Sequence, residues 1–544
     1  MSGFRGRLAG LGPHLRPLGL ESTTQGTIAQ RGALSMAGLL AQGGLRFATS
    51  WLIGLVAGRV VLGTVAAAMS MGTILALLWP TTTGSAASKY IARARGAQDT
   101  VELHAVTAHF RRRALQSGIV LSLLAFPLWA TVGNGLWSEA WAVSAFTAAY
   151  AGYTFTRGVQ YGTGQVARAT LWDIGCAAMG LAVLVALLLL GVRGPALLGA
   201  LALSYAAYAL GGLPRGVDRG ATLPAGLRSE LDQVVLLGVA GSVASSGFLQ
   251  ISMIVAKNLD AAEAGQFAAA MTTATPASLL AASLSLVLFP ALAEAWGRGD
   301  KALFRTQTDQ ATRVLVLAML TVFGSLILCS RLVMSLWGPQ FDAETLVFPL
   351  LLVAILASNI ATASFNALAT RSKNLMQLSS GASLIGLAVG ALVWVFVIPS
   401  LGIVGIAIGY LAGTLVGALV PLVTEWRIGG HRWGLLLGRA ALGLVLLIGL
   451  FVAERALGIP VLAEPLIALL GRKDAARLRL DAQRALRSLT GQAHGPYQQP
   501  WHDWWESEKA RFQMPPKPTA PATAAAPEKG VTFYGITTPS DKIL

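Results

Sequence analysis

Gly63-Thr-Val-Ala-Ala-Ala-Met-Ser-Met-Gly-Thr73 returns two hundred or so positions later as Gly265-Gln-Phe-Ala-Ala-Ala-Met-Thr-Thr-Ala-Thr275, every aligned pair at one offset. Three of the matched residues are alanines, which carry little weight in so Ala-rich a chain. The context carries more. Each copy opens an apolar stretch, is followed by a polar segment containing Arg and Asp, and reaches an arginine at the same offset, Arg111 and Arg313. That is the pattern of a duplicated helical unit.

Working outward from the repeat, the chain is far more apolar than a soluble core requires: 54% hydrophobic, 12% charged, mean hydropathy +0.62. Apolar runs of about 20 residues, long enough to cross the hydrocarbon layer as a helix, recur at 33–57, 60–82, 114–135, 139–161, 169–192, 195–213, 233–256, 267–290, 314–337, 346–369, 377–397 and 401–424. Runs this long and unbroken exclude a membrane β-barrel, whose strands are about ten residues of alternating pattern. The expected fold is an all-α polytopic membrane protein. The first apolar run is too long for a signal-peptide core and should be retained. Cys176 and Cys329 both fall inside expected spans and read as packing residues, with no metal site and no cofactor expected.

A net charge of +16 would suggest nucleic acid in a soluble protein, but its placement argues otherwise. With the N-terminus inside, Lys89, Arg93, Arg95, Arg111, Arg112, Arg113, Arg215, Arg219, Arg298, Arg371 and Arg432 all fall on the cytoplasmic side. The opposite side holds only Arg59, Arg193, Lys257 and Arg331. This is the positive-inside pattern. Its expected contacts are membrane lipids, not nucleic acid, and the expected location is a bacterial cytoplasmic membrane with a cytoplasmic N-terminus.

Six spans on each side of a polar linker place both copies of the repeat in the same orientation, so the two six-helix bundles should be related by a parallel pseudo-twofold axis. The expected organisation is a cytoplasmic arm at 1–32, bundles at 33–213 and 233–424 joined by a linker at 214–232, one or two further membrane segments at 425–470, and a basic, partly disordered tail at 471–544. Short surface helices are expected in 88–113 and 294–313. An interfacial helix is expected at 474–489, whose apolar residues recur near helical spacing between arginines.

Four stretches carry a family resemblance: Gln42-Gly-Gly-Leu-Arg46 with Gly58-Arg-Val-Val-Leu-Gly63; Arg157-Gly-Val-Gln-Tyr-Gly-Thr-Gly-Gln165; Leu288-Phe-Pro-Ala-Leu-Ala-Glu294 with Gly299-Asp300; and Asn366-Ala-Leu-Ala-Thr-Arg-Ser-Lys373 with Ile398-Pro-Ser-Leu-Gly-Ile-Val-Gly-Ile-Ala407. In this order they resemble the polysaccharide-transporter branch of the multidrug/oligosaccharidyl-lipid/polysaccharide flippase superfamily. The usual first-loop Gly-Pro-Glu-x-Gly of that branch is absent, and only Gly63-Thr64-Val65 stands there. The resemblance implies alternating-access translocation of a lipid-linked oligosaccharide, with polysaccharide assembly proteins as partners. Ion-coupled multidrug efflux is the alternative within transport. A membrane glycosyltransferase, ligase or polymerase is the alternative of another class, and an enzyme is not expected, because the external loops are tiny and hold no paired carboxylates.

Candidate site residues follow from polarity inside the spans. Gly38, Gln42, Arg46 and Ser50 recur every four residues on the first span, and Gly238, Ser242, Ser246 and Gln250 do so on the seventh. Both stripes are expected to line a cavity between the bundles. Arg46 near mid-span is costly unless compensated, and its guanidinium suits a diphosphate or acidic sugar; an arginine satisfied by neighbouring helices is the plainer reading. Asp173 reads either as a proton or sodium site or as an interfacial carboxylate beside Trp172. Asn359, Thr362 and Asn366 share a face of the tenth span and suit sugar hydroxyls, though hydrogen bonding between helices is the commoner use of such residues. Pro276 should kink the eighth span.

Overall fold

In a computed structural model, the described residues are 24–96, 99–213, 223, 225–342, 345–457, 463–471, 476–509, 530–533 and 536–539. Residues 1–23 of the expected arm, 214–222 of the linker and the Pro/Ala-rich 515–527 lie outside them. Contacts divide the chain into two compact units, 1–447 and 448–544.

The first lobe begins with α1 (Thr24–Val56), which ends where Ala57 and Gly58 both donate to the Ile53 carbonyl and Gly58 takes φ 92°. α2 (Arg59–Leu78) follows and carries the first copy of the repeat. Pro80, lacking an amide hydrogen, starts α3 (Pro80–Gly96) after the irregular Trp79. Asp99 caps α4 (Thr100–Thr131), accepting from the Glu102 amide at 2.8 Å. α5 (Ala140–Gly162), α6 (Val166–Leu189) and α7 (Leu198–Gly212) complete the lobe.

The second lobe repeats the plan with different local chemistry. α8 (Ala225–Ser242) and α9 (Phe248–Leu259) are joined by one π-helical turn, Val243–Gly247. Asp260 caps α10 (Ala261–Ala274), the second copy of the repeat, accepting from Ala262 and Glu263. Pro276 lies in a 3₁₀ turn, Thr275–Ser278, that separates α10 from α11 (Leu279–Gly297). Asp300 then caps α12 (Lys301–Leu328), just as Asp99 caps α4. After α13 (Ser330–Ser335) come α14 (Val347–Arg371) and α15 (Lys373–Gly429), whose long run is divided by Gly402 at φ 54°.

Each expected span is occupied by helix, and the fold is the expected all-helical membrane architecture with a two-lobe repeat. Ten stretches among the described residues are long and apolar enough to cross a membrane, and one of them, Asn374–Gly429, contains two expected spans. The fourth and eighth are helical at the expected places without qualifying. Ala140–Gly162 carries Tyr150, Tyr153, Thr154 and Arg157, and the eighth is broken at Pro276. The expected surface helices at 88–113 and 294–313 are instead continuations of the long helices. The chain turns within a few residues because Asp99 and Asp300 cap the next helix at once.

The two copies of the repeat pack against each other, α2 on α10, where the lobes meet. Gly63 and Gly265 make this possible. A methyl on Gly63 would overlap the Ala261 carbonyl and stand 2.6 Å from the Gly265 amide nitrogen, and one on Gly265 would overlap the Arg59 carbonyl. At the same end, Lys257 Nζ donates to the carbonyls of Gly133 (2.6 Å) and Asn134 (2.5 Å), and Gln340 Nε2 donates to that of Gly54 (2.6 Å). At the arginine-rich end the second lobe meets the first through side chains. Tyr90 donates to Glu230 at 3.1 Å, and Asp232 pairs with His109 at 3.1 Å and with Arg113.

α16 (Gly434–Leu457) holds the last of the ten stretches long and apolar enough to cross, Gly434–Ala453, whereas α17 (Ala463–Leu470) has eight residues and is too short. α17, α18 (Ala476–Thr490) and α19 (Gln498–Glu508) share a small core of Ile467, Leu470, Ala482, Leu486, Trp501 and Trp505. Ala482 and Leu486, two of the apolar residues on which the expectation of an interfacial helix rests, are taken up by this local core. Two strands, β1 (Gly530–Phe533) and β2 (Ile536–Pro539), pair antiparallel near the end of the chain, a small departure from the all-α expectation. Their run of Val531, Thr532, Phe533, Ile536, Thr537 and Thr538 is rich in β-branched and aromatic residues.

Candidate functional site

The polar stripe on α1 does not line a gap between the lobes. It turns into the core of the first lobe, where α5, α6 and α7 supply its partners. Gln42 Nε2 donates to the Asp173 carbonyl at 2.9 Å, and its Oε1 is buried without a hydrogen-bond partner. Gly38 leaves room for the Asp173 carboxylate: a methyl there would stand 2.6 Å from Oδ2. Ser50 is buried.

Arg46 is met by phenols and ring faces. Its Nε donates to the Tyr205 hydroxyl at 2.9 Å, and its guanidinium carbon lies 4.8 Å from the centre of the Tyr150 ring and 5.8 Å from that of Tyr205. Among the described residues no carboxylate lies within ion-pair distance of it. Tyr205 in turn stacks on Tyr153 at 4.7 Å, and Tyr150 stacks on Phe146 at 5.7 Å. The cation is thus held in an aromatic cage, an arrangement in which ring quadrupoles replace part of the lost hydration.

Asp173 is 0% exposed, so its carboxylate is shielded from solvent by its neighbours. Its Oδ2 accepts from Arg157 Nε at 3.1 Å and its Oδ1 from the Tyr153 hydroxyl at 3.1 Å. Arg157 Nη2 also donates to the Tyr161 hydroxyl, which lies 2.8 Å from Ser35 Oγ. The sequence-level choice between an ion site and an interfacial carboxylate missed this pairing because Arg157 comes from a different helix. The interior of the first lobe therefore gathers two arginines, one aspartate and a stack of tyrosines.

In the second lobe the corresponding space is hollow. A cavity of about 680 Å³ is lined by residues of the π turn, α9, the 3₁₀ turn at Thr275–Ser278, α11, α14 and α15. Ser246, Gln250, Asn359 and Asn366, all expected from sequence, line it together with Ser245, Ser278, Ser285, Thr362, Ser383 and Thr414; Phe248, Phe365 and Tyr410 add aromatic surface. None of its lining residues is Asp, Glu, Lys, Arg or His. Asn359 Nδ2 donates to Ser278 Oγ at 3.3 Å, and Asn366 Nδ2 to Ser285 Oγ at 2.8 Å. Both partners advance by seven residues between these rungs, so the 3₁₀ turn and the α11 that follows it are joined to α14 by a two-step polar ladder.

Ser242 does not reach the cavity. The stripe Gly238, Ser242, Ser246, Gln250 assumed one uninterrupted helix, but the π turn at Val243–Gly247 inserts a residue and rotates the remainder of the span, so that Ser245 joins Ser246 in the wall. The sequence reading also missed Ser278 and Ser285. Their seven-residue spacing matches that of Asn359 and Asn366, a signal that has meaning only once the two helices are known to be neighbours.

At the arginine-rich end of the second lobe, Glu425 is 0% exposed. Arg371 holds it through Nη2 at 2.6 Å and Nε at 3.1 Å, and His431 Nε2 lies 3.3 Å away. His431 stacks on Trp433, whose indole donates to Asp309 at 2.7 Å. This cluster ties the end of α15 to α12 and α14.

No protein-family profile and no curated protein sequence matches the chain. Solved structures do. An inward-facing multidrug resistance MATE family transporter of the MOP superfamily is similar with a TM-score of 0.58 and 18% identity, over 73% of this chain and 98% of the other. The outward-facing conformation of such a transporter gives 0.54 and 19%, over 76% and 97%. A MOP superfamily transporter from Pyrococcus furiosus, described as having a binding pocket of reverse polarity that suggests a different function, gives 0.55 and 18%, over 74% and 96%. The chain has the fold of these transporters.

Proposed function

We propose that the chain is an alternating-access transporter, not an enzyme, and that it moves an amphiphile whose polar head is not cationic. The observation that carries this reading is the chemistry of the two interiors. A cation in the second-lobe cavity would lie among hydroxyls and amides without a counter-charge, and in the first lobe it would face Arg46 and Arg157, with Asp173 already paired. An anionic group such as a diphosphate suits Arg46, and a polyhydroxylated group suits the second lobe. A lipid-linked oligosaccharide combines the two. In this reading the arginine-rich end faces the cytoplasm of a bacterial cell, and Asp173 serves to hold Arg157.

Ion-coupled multidrug efflux is the second reading, and the solved structures favour it over the glycan reading, since those whose descriptions name a cargo class name drugs. Their identity to this chain is too low for cargo to follow from fold. Proteoliposomes separate the two. A fluorescent lipid-linked oligosaccharide should become accessible to an external enzyme in a protein-dependent manner, while a cationic dye should not be moved by proton or sodium gradients. Gradient-driven dye export without oligosaccharide movement would reverse the conclusion.

A further inference from the structure

Resting on the non-cationic amphiphile reading above, we propose that the cavity of the second lobe is a saccharide-ring subsite, the place where an uncharged polyhydroxylated part of the cargo sits. The lining argues against a charged occupant, for no residue in it carries a formal charge that would offset one buried there. It argues equally against a purely apolar occupant. An asparagine amide offers two donors and an acceptor, and the ladder bonds of Asn359 and Asn366 use one donor each. Each serine hydroxyl in the ladder accepts and still has its own proton to donate. Two such rungs, two helical turns and about 10 Å apart, form a row of donors and acceptors along one wall.

The aromatic part of the lining is different in kind. Phe365 is 37% exposed, while Phe248, buried between Trp394 at 5.2 Å and Tyr410 at 5.1 Å, backs the cavity beside the π turn. Sugar rings are amphiphilic in the same sense, with a C–H face that packs on aromatic rings and a rim of hydroxyls that both donate and accept. Pockets that take such ligands combine an apolar lining with a few placed polar groups. A π turn in a wall of this kind is a common mark of a ligand site.

The test uses the full chain in lipid nanodiscs and radiolabelled maltotriose, a neutral trisaccharide, with tetraethylammonium as the cationic control, in equilibrium dialysis. Wild type should retain maltotriose in preference to tetraethylammonium. Asn359→Leu with Asn366→Leu should lose at least tenfold, Thr362→Val about threefold, and Thr321→Val nothing, because Thr321 is exposed and does not line this cavity. Thermal unfolding of each variant reports folding, and Thr362→Val, which removes a single hydroxyl, decides the matter if the double variant does not fold. Equal maltotriose retention by wild type and Thr362→Val, or preference for tetraethylammonium, overturns the subsite. Maltotriose binding that obeys these expectations in a protein that exports dye and moves no lipid-linked oligosaccharide leaves the subsite intact and removes the glycan-transport reading. Oligosaccharide movement without maltotriose binding does the reverse.

Discussion

The two lobes are built on one plan, with the same order of spans, Asp caps at corresponding turns and glycine-bearing repeats packed on each other, yet their interiors are opposite. The first gathers charge and aromatic rings; the second is an uncharged hollow of about 680 Å³. A duplicated scaffold can thus keep its outer packing while its interior chemistry diverges completely. In the first lobe polar side chains spend their hydrogen bonds on one another. In the second, hydroxyls and amides line a space.

The largest stability effect should come from breaking the charged interior. Asp173→Ala leaves Arg157 buried without its carboxylate and should destabilise the chain by about 3 to 5 kcal/mol, seen as a large fall in the thermal unfolding midpoint. A midpoint within a degree of wild type would mean that the pair contributes little and that the two interiors differ less than their geometry suggests. Gly265→Ala sharpens the comparison at the lobe contact. The added methyl has backbone, not a flexible side chain, in its way, so a cost of about 1 to 3 kcal/mol is expected for the closed contact. Cysteines introduced on α2 and α10 should then react faster with a water-soluble maleimide. Unchanged labelling would show that the crossing has slack.

The smallest expected effect belongs to the hollow lobe. Asn359→Ala removes one ladder bond of 3.3 Å in a wall that already faces open space, so a stability loss of about 1 kcal/mol or less is expected. A loss as large as that of Asp173→Ala would make the ladder a structural brace and weaken its assignment to cargo.

Most of the architecture was legible because a bilayer imposes a length: runs of about 20 apolar residues can do little else than cross it. Pro276 announced its own break in the eighth span, and Arg46 and Asp173 were conspicuous by their charge. What the sequence hid was neighbourhood. Periodicity places Gln42 and Arg46 on one face of α1 but is silent on whether that face meets its own lobe or the other. The burial of Asp173 depended on Arg157 and Tyr153 from α5, and the loss of Ser242 from the cavity wall depended on a π turn that leaves no compositional trace. The tail was ambiguous for the same reason. The apolar positions of α18 fit a membrane surface and a tryptophan core equally well, and only the folded chain shows Trp501 and Trp505 beside them.

The central claim, that the uncharged polyhydroxylated part of the cargo occupies the second lobe, is tested most directly by filling the cavity. Thr362→Trp should place an indole in the hollow without disturbing the ladder. Transport of lipid-linked oligosaccharide in proteoliposomes should fall at least tenfold while the unfolding midpoint stays within a few degrees of wild type. Transport at the wild-type rate by this folded variant would contradict the claim.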